Sequence, residues 1–213
     1  MSLSSMLRFA RRSALALALA SMAGLAGAAP VSNYHVVIDT GGFSGAGFLD
    51  FAFIPGSSGA SAAHASLSHF SGAFGAPVSS EGEVHGAVAN DIYYFGNSTG
   101  YNDLFHSVTL GGKFSFDIAF GGDFLTGAGH TGSTFGVGLL NKTGYLGNPD
   151  GNVVQFELMP AFLGNPAGVT ATGYAAVGMV AAVPEPSSWL MLGAGLAVVG
   201  FGVRRRSALA VRV

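Results

Sequence analysis

Lys113-Phe-Ser-Phe-Asp-Ile-Ala-Phe120 decides the fold class. In an extended chain Phe114, Phe116, Ile118 and Phe120 fall on one side, and Lys113, Ser115, Asp117 and Ala119 on the other. Strict alternation with period two is the mark of a half-buried strand. Phe48-Leu-Asp-Phe-Ala-Phe-Ile54 repeats the pattern, with Leu49, Phe51 and Phe53 on one face. Val153-Val-Gln-Phe-Glu-Leu158 does so again, with Val154, Phe156 and Leu158 inward and Gln155 and Glu157 outward. Weaker runs of the same kind are Tyr34–Thr40, Ala62–Ser71, Glu83–Ala89, Leu104–Leu110, Thr134–Asn141 and Val169–Val180.

Turn residues separate these runs: Gly41-Gly42, Pro55-Gly56, Gly111-Gly112, Gly121-Gly122 and Asn148-Pro-Asp-Gly-Asn152. Glycine supplies positive φ, and Pro-Asp-Gly presets a turn. Gly111-Gly112, between two strand patterns, is the strongest hairpin signal. No stretch between residues 30 and 182 has the period of an amphipathic helix. About nine short strands at this spacing predict an all-β domain, a jelly-roll-like β-sandwich. Fifteen phenylalanines and six tyrosines lie in that region. Each buries about 150–250 Å², so aromatic packing is expected to dominate a core that has no disulfide.

The bulk composition agrees. Only 9% of residues are charged, and 34 are glycine, against about 25% charged in an ordinary soluble domain. The basic residues sit at the ends: Arg8, Arg11 and Arg12, then Arg204, Arg205, Arg206 and Arg212. Between residues 30 and 182, Lys113 and Lys142 stand against ten carboxylates, leaving −8. Such a domain has nothing with which to neutralise a phosphate backbone, so nucleic acid is excluded as a partner. The absence of cysteine removes thiol catalysis and thiolate metal sites.

Residues 1–28 read as a signal peptide. Arg8, Arg11 and Arg12 form the basic region, and Ser13-Ala-Leu-Ala-Leu-Ala-Leu-Ala20 opens an apolar run to about Ala26. Ala26-Gly-Ala28 satisfies the small-x-small rule, placing cleavage after Ala28. The rest of a twin-arginine motif is missing, which favours the general secretory route. Residues 183–213 form a second address. Val183-Pro184-Glu185-Pro186 leads into an apolar run over about 187–203, then Arg204-Arg205-Arg206. As a helix that run reaches about 25 Å, the short limit for a membrane span. Trp189 suits one interface, and the arginines hold the other end in the cytoplasm. The domain between is expected outside it.

This tail, with Pro-Glu-Pro, a short apolar helix containing Gly193-Ala-Gly-Leu196 and an arginine cluster in that order, resembles the PEP-CTERM sorting signal of Gram-negative bacteria. The resemblance implies export, a temporary membrane anchor, and cutting near Pro-Glu-Pro by exosortase, a membrane-embedded transpeptidase-like enzyme. It also implies a place at the cell surface or in the biofilm matrix, with exopolysaccharide as the candidate ligand. Tyr34–Thr40, Gly47–Gly56, Tyr101-Asn-Asp103 and Phe114-Ser-Phe-Asp117 resemble a family of PEP-CTERM proteins whose function is uncharacterised. Those motifs are strand patterns and carry no chemistry.

Other constellations in the sequence have plain structural readings. Val36-Val-Ile-Asp39-Thr40-Gly41 matches half of an aspartic-protease site, but no second Asp-Thr-Gly supplies the paired carboxylate; a strand ending in a capped turn is expected. His35, His64, His69, His85, His106 and His130 show no metal-ligand spacing, and His64 and His69, five apart, are expected on opposite strand faces. Glu81 and Glu83 would share one strand face as a solvated edge. Asn148–Asn152 lacks the spacing of a calcium loop. Asn97-Ser-Thr and Asn141-Lys-Thr match glycosylation sequons by chance. In Tyr93-Tyr94-Phe95, Tyr94 should face away from its neighbours. No catalytic residue, metal ligand or cofactor is identified. The expectation is a non-enzymatic exported protein, possessing a ligand site for exopolysaccharide; the alternatives are a secreted hydrolase using carboxylates and a purely structural matrix subunit.

Overall fold

The Phe114–Phe120 alternation forms a strand whose four apolar side chains are all buried and whose polar partners are all partly solvated. The same holds for Leu49, Phe51 and Phe53, and for Val154, Phe156 and Leu158. In this computed structural model, residues 32–174, 177–183, 193 and 196 are described. Gly193 and Leu196 have helical backbone. The rest of the span expected at 187–203 lies outside the described residues. So do the signal segment with Ala28, and Pro184, Glu185, Pro186, Trp189, Arg204, Arg205 and Arg206. Among the described residues no helix is long and apolar enough to cross a membrane.

The chain runs β1 (Asn33–Asp39), β2 (Gly45–Pro55), β3 (His64–Ser71), β4 (Phe74–Glu81), β5 (Val84–Ala87), β6 (Ile92–Gly96) and β7 (Asn102–Leu110). It continues as β8 (Lys113–Gly121), β9 (Ser133–Asn141), β10 (Gly144–Tyr145), β11 (Asn152–Met159), β12 (Gly168–Gly173) and β13 (Gly178–Ala182). Two antiparallel sheets result. Sheet A has the order β13-β1-β8-β3-β6-β5, and sheet B the order β12-β11-β9-β2-β7-β4, with β10 on β9. Among the described strands the chain changes sheet at eight of twelve connections.

Rings from the two sheets meet in the core. Phe51 of sheet B packs on Phe116 of sheet A at 5.5 Å, Tyr34 on Phe156 at 5.1 Å, and Phe95 on Phe135 at 5.3 Å. The Tyr34 hydroxyl donates to the Val169 carbonyl at 3.0 Å, tying β1 to β12. These are the tilted and edge-to-face geometries that aromatic quadrupoles favour.

Three sequence expectations need correction. Gly111-Gly112 is not a hairpin: β7 belongs to sheet B and β8 to sheet A. The turn arches between sheets because the buried Thr40 hydroxyl accepts from both glycine N–H groups and donates to the Gly112 carbonyl at 2.7 Å. Val169–Val180 is two strands in different sheets, β12 ending at Gly173 and β13 starting at Gly178. The strands exceed nine because β4, β6 and β10 add to the set. β4 escapes the alternation rule because it is an exposed edge strand with register shifts on either side of Pro77.

Candidate functional site

The outer face of sheet B is where the sequence builds a cleft. On β9, Gly136 and Gly138 occupy outward positions, opposite Ala52 and Asp50 of β2. A Cβ at Gly136 would stand 2.3 Å from Asn152 Nδ2, and one at Gly138 would stand 3.4 Å from the Tyr145 ring. The missing side chains let the 141–152 segment fold back on the sheet. Asn141 Oδ1 starts the reversal by accepting from the Thr143 N–H at 2.8 Å, and the Leu146 N–H bonds the Leu139 carbonyl at 2.7 Å. Asn148 closes the loop, donating to the Asn152 carbonyl at 2.6 Å and accepting from the Asp150 N–H at 3.2 Å.

The result is a cavity of about 360 Å³ between Tyr145, Asn148, Asp150, Asn152, Gln155 and Tyr174. Gln155 is held by its neighbours: its Nε2 donates to Glu157 Oε1 at 2.6 Å, and its Oε1 accepts from Asn152 Nδ2 at 3.3 Å. Tyr174 is placed by its N–H, bonded to the Val153 carbonyl at 2.8 Å. Two aromatic rings beside amides that both donate and accept form a surface suited to a polyhydroxylated ring. Among the described residues no cationic side chain lines the cavity.

Beside it, Asp50 and Asp103 lie diagonally on β2 and β7, since Asp50 pairs with Phe105 and Ala52 with Asp103. Burial pushes the Asp50 carboxyl up to about 7, with Asp103 adding to the effect through a shared hydrogen bond and its charge. Tyr101, above this pair, is pushed up to about 12 by burial and by the Asp103 and Asp50 charges. Sequence reading passed over both features. The signal for the cleft was Gly136-x-Gly138 in a strand otherwise bulky on its inner side, followed by the Asn148–Asn152 turn.

The remaining candidates resolve as follows. Asp39 caps its own turn, accepting from the Gly41 N–H at 2.9 Å with Lys113 3.4 Å away. The Gly41 hydrogen bond and Lys113 hold its carboxyl below the usual range. Glu81 and Glu83 do not share a face: Gly82, at φ +73°, carries the chain from sheet B to sheet A between them. Glu81 pairs with Asp103, while Glu83 bonds Ser98.

His64 and His69 do share a face. A register shift between Ser68 and Ser71, with His69 at φ +55°, turns the His69 ring onto Asp117. His85 and His35 are on that outer face too, whereas His106 is buried and His130 packs on Phe162. Asn97 is buried, with its amide bonded to Ser61, Ser133 and Ala63. Tyr94 points outward, stacked on His64 at 5.5 Å, while Tyr93 and Phe95 are buried. Among the described residues no group of three or more histidines and carboxylates is arranged to hold a metal ion.

No curated protein sequence and no solved structure matches the chain. Residues 182–206 match the family model of the PEP-CTERM protein-sorting motif, a stretch that contains Pro184-Glu185-Pro186, Trp189 and Arg204-Arg205-Arg206, and the chain therefore carries the export and sorting signal of an exosortase substrate.

Proposed function

We propose that the sandwich is a non-enzymatic, saccharide-binding module of the cell surface or extracellular matrix, delivered there by exosortase and contacting exopolysaccharide through the Tyr145–Tyr174 cleft. The cleft carries the reading: its rings and amides suit sugar faces and hydroxyls, and Asp150 within an acidic domain favours neutral over anionic residues. The carboxylates argue against the hydrolase alternative. Glycosidases flank an open substrate site with their two carboxyls, whereas Asp50 and Asp103 each bury a carboxylate oxygen away from solvent. In the same reading the fold is jelly-roll-like: β1-β8-β3-β6 facing β2-β7-β4 is a nested order supporting two Greek keys.

The test uses protein recovered from its host. Intact mass should end near Pro184–Pro186 only when exosortase is present. The released protein should bind the host's own exopolysaccharide without shortening it. Tyr145→Ala should weaken that binding roughly tenfold, the loss of about one ring contact, with no change in melting temperature. Absence of binding, or release of reducing ends, would sink the proposal.

A further inference from the structure

One end of the sandwich is apolar, and it is the end from which β13 leaves. Ala182 lies opposite Tyr34, and the Val183 N–H bonds the Asn33 carbonyl at 2.8 Å. Asn33 is level with Ala119 of β8, and His64 of β3 with Gly121. Asn97 fastens this level to sheet B, donating to Ser133 Oγ at 2.9 Å. Ser133 sits opposite Pro55 and Leu158, and one residue on, Met159 opposite Gly168 begins the β11–β12 connection. That connection and the exit of β13 therefore share one end.

The connection tapers to a tight turn, Phe162-Leu163-Gly164-Asn165, closed by reciprocal backbone bonds of 3.1 and 2.9 Å. Leu163 and Gly164 both have positive φ, +48° and +85°. Glycine adopts this freely, but for leucine a left-handed backbone costs roughly 1–2 kcal/mol, and such turns normally use Asn, Asp or Gly. Leu163 is also 83% exposed, so no burial offsets that cost. The turn is braced: the Gly129 N–H bonds the Ala161 carbonyl at 3.1 Å, and the His130 ring packs on Phe162 at 4.6 Å. Ile54, Met159 and Val183 add exposed apolar surface. No charged residue occurs between Glu157 and Glu185. The charges nearest this end are Glu83 and Asp123 beside His64 on the sheet A side and Glu157 on β11, opposite Thr134 and one residue before Leu158.

We propose that the Phe162–Leu163 turn is a membrane-interface dock that seats this end of the domain on the bilayer while the sorting helix holds the chain. The occupant follows from where the chain goes. Ser187, where the expected span begins, is only four residues past Val183, a reach of about 14 Å at most. Two apolar side chains bind lipid weakly alone. A tether that short supplies the effective concentration that makes the contact persist, and cutting the tether releases it. The dock would hold Pro184–Pro186 at the membrane surface. The inference rests on residues 187–203 spanning the membrane.

The absence of cysteine makes site-specific labels clean. The full chain is reconstituted in vesicles of phosphatidylethanolamine with a minor fraction of phosphatidylglycerol. An environment-sensitive fluorophore is placed at Asn165→Cys beside the turn, at Ser44→Cys at the opposite end, or at Leu196→Cys in the expected span. Brominated lipid should quench the 165 label about threefold more than the 44 label, as an interfacial contact requires, and Leu163→Asn should return it to the level of 44. Leu163→Asn suits the left-handed turn, so loss of folding does not confound the result. A 165 label no more quenched than 44, with 196 quenched, overturns the dock alone. An unquenched 196 label overturns the anchor reading first. Shielding of 165 that appears without vesicles and rises with protein concentration assigns the turn to a second copy of the chain and overturns the dock.

Discussion

The two sheets present nearly equivalent inner faces and unlike outer ones. Sheet A leaves its outer face open, with His35, His64, His69, His85, Tyr94 and Asp117 meeting water. Sheet B is roofed by the 141–152 segment, which hides Gly136 and Gly138 and crowds Asp50. Both faces use glycine in the same way. In sheet A, Gly96 and Gly121 leave room for the Glu83 carboxylate and the His64 ring, where a Cβ would stand 2.0 and 2.6 Å from them. There the space is filled from within the sheet; in sheet B it is filled by a returning loop. A bare strand position makes a cleft only when the chain that follows comes back over it.

The shared inner face should give the largest effect. Phe135 is fully buried and contacts the rings of Phe53, Phe95, Phe120 and Phe156, which belong to both sheets. Phe135→Ala should cost about 3–5 kcal/mol, measured by urea unfolding. Tyr94→Ala on the open face should cost under about 1 kcal/mol. Similar losses at both positions would mean that sheet A is covered after all.

The roof over sheet B should be legible in a pH profile. With its folded pKa raised to about 7, Asp50 holds a proton that the unfolded chain releases near pH 4. Between those values the folded state binds more protons, so stability falls as pH rises from about 4 to about 7 and is then flat. Asp50→Asn should remove that slope. At pH 8 the variant should be more stable by about 1–2 kcal/mol, allowing for partial solvent screening, or about 3–6 °C in melting temperature. At about pH 3.5, where folded and unfolded chains both hold the proton, it should match the parent. A variant no more stable at pH 8 would show that the pair is solvated and the roof is loose.

What the sequence disclosed follows the same division. Period two located β2, β8 and β11, because burial of residues such as Phe114, Phe116, Ile118 and Phe120 is dictated by local alternation alone, but it did not name β6, whose Tyr93 and Phe95 are also buried. It failed where the chain departs from regular register. The His69 bulge put two histidines on one face, and Gly82 and Gly111-Gly112 moved the chain between sheets. Pairing partners depend on contacts far apart in sequence, such as Thr40 with Gly112. The cleft was hidden for a related reason: Gly136 and Tyr145 belong to separate local patterns, and only the fold superposes them. The sorting motif at 182–206 was readable because its recognition is linear.

The open face should give the smallest effect. Asp117 receives His35 Nδ1 at 2.6 Å and His69 Nδ1 at 2.8 Å, with all three side chains more than a third exposed. Partial burial works to raise the Asp117 carboxyl, but the two histidine hydrogen bonds outweigh it and hold it below the usual range. A lowered carboxyl contributes stability above its unfolded pKa and loses it as pH falls through the folded value. Asp117→Asn should therefore cost no more than about 0.5 kcal/mol at pH 6, less in high salt, and nothing once the parent's carboxyl is protonated. Chemical unfolding of parent and variant across pH 3–7 (about four units around the usual carboxylate value) measures this directly. A loss at pH 6 larger than the gain from Asp50→Asn at pH 8 would reverse the ranking of the two faces, because the histidine cluster would then be holding sheet A together instead of decorating it.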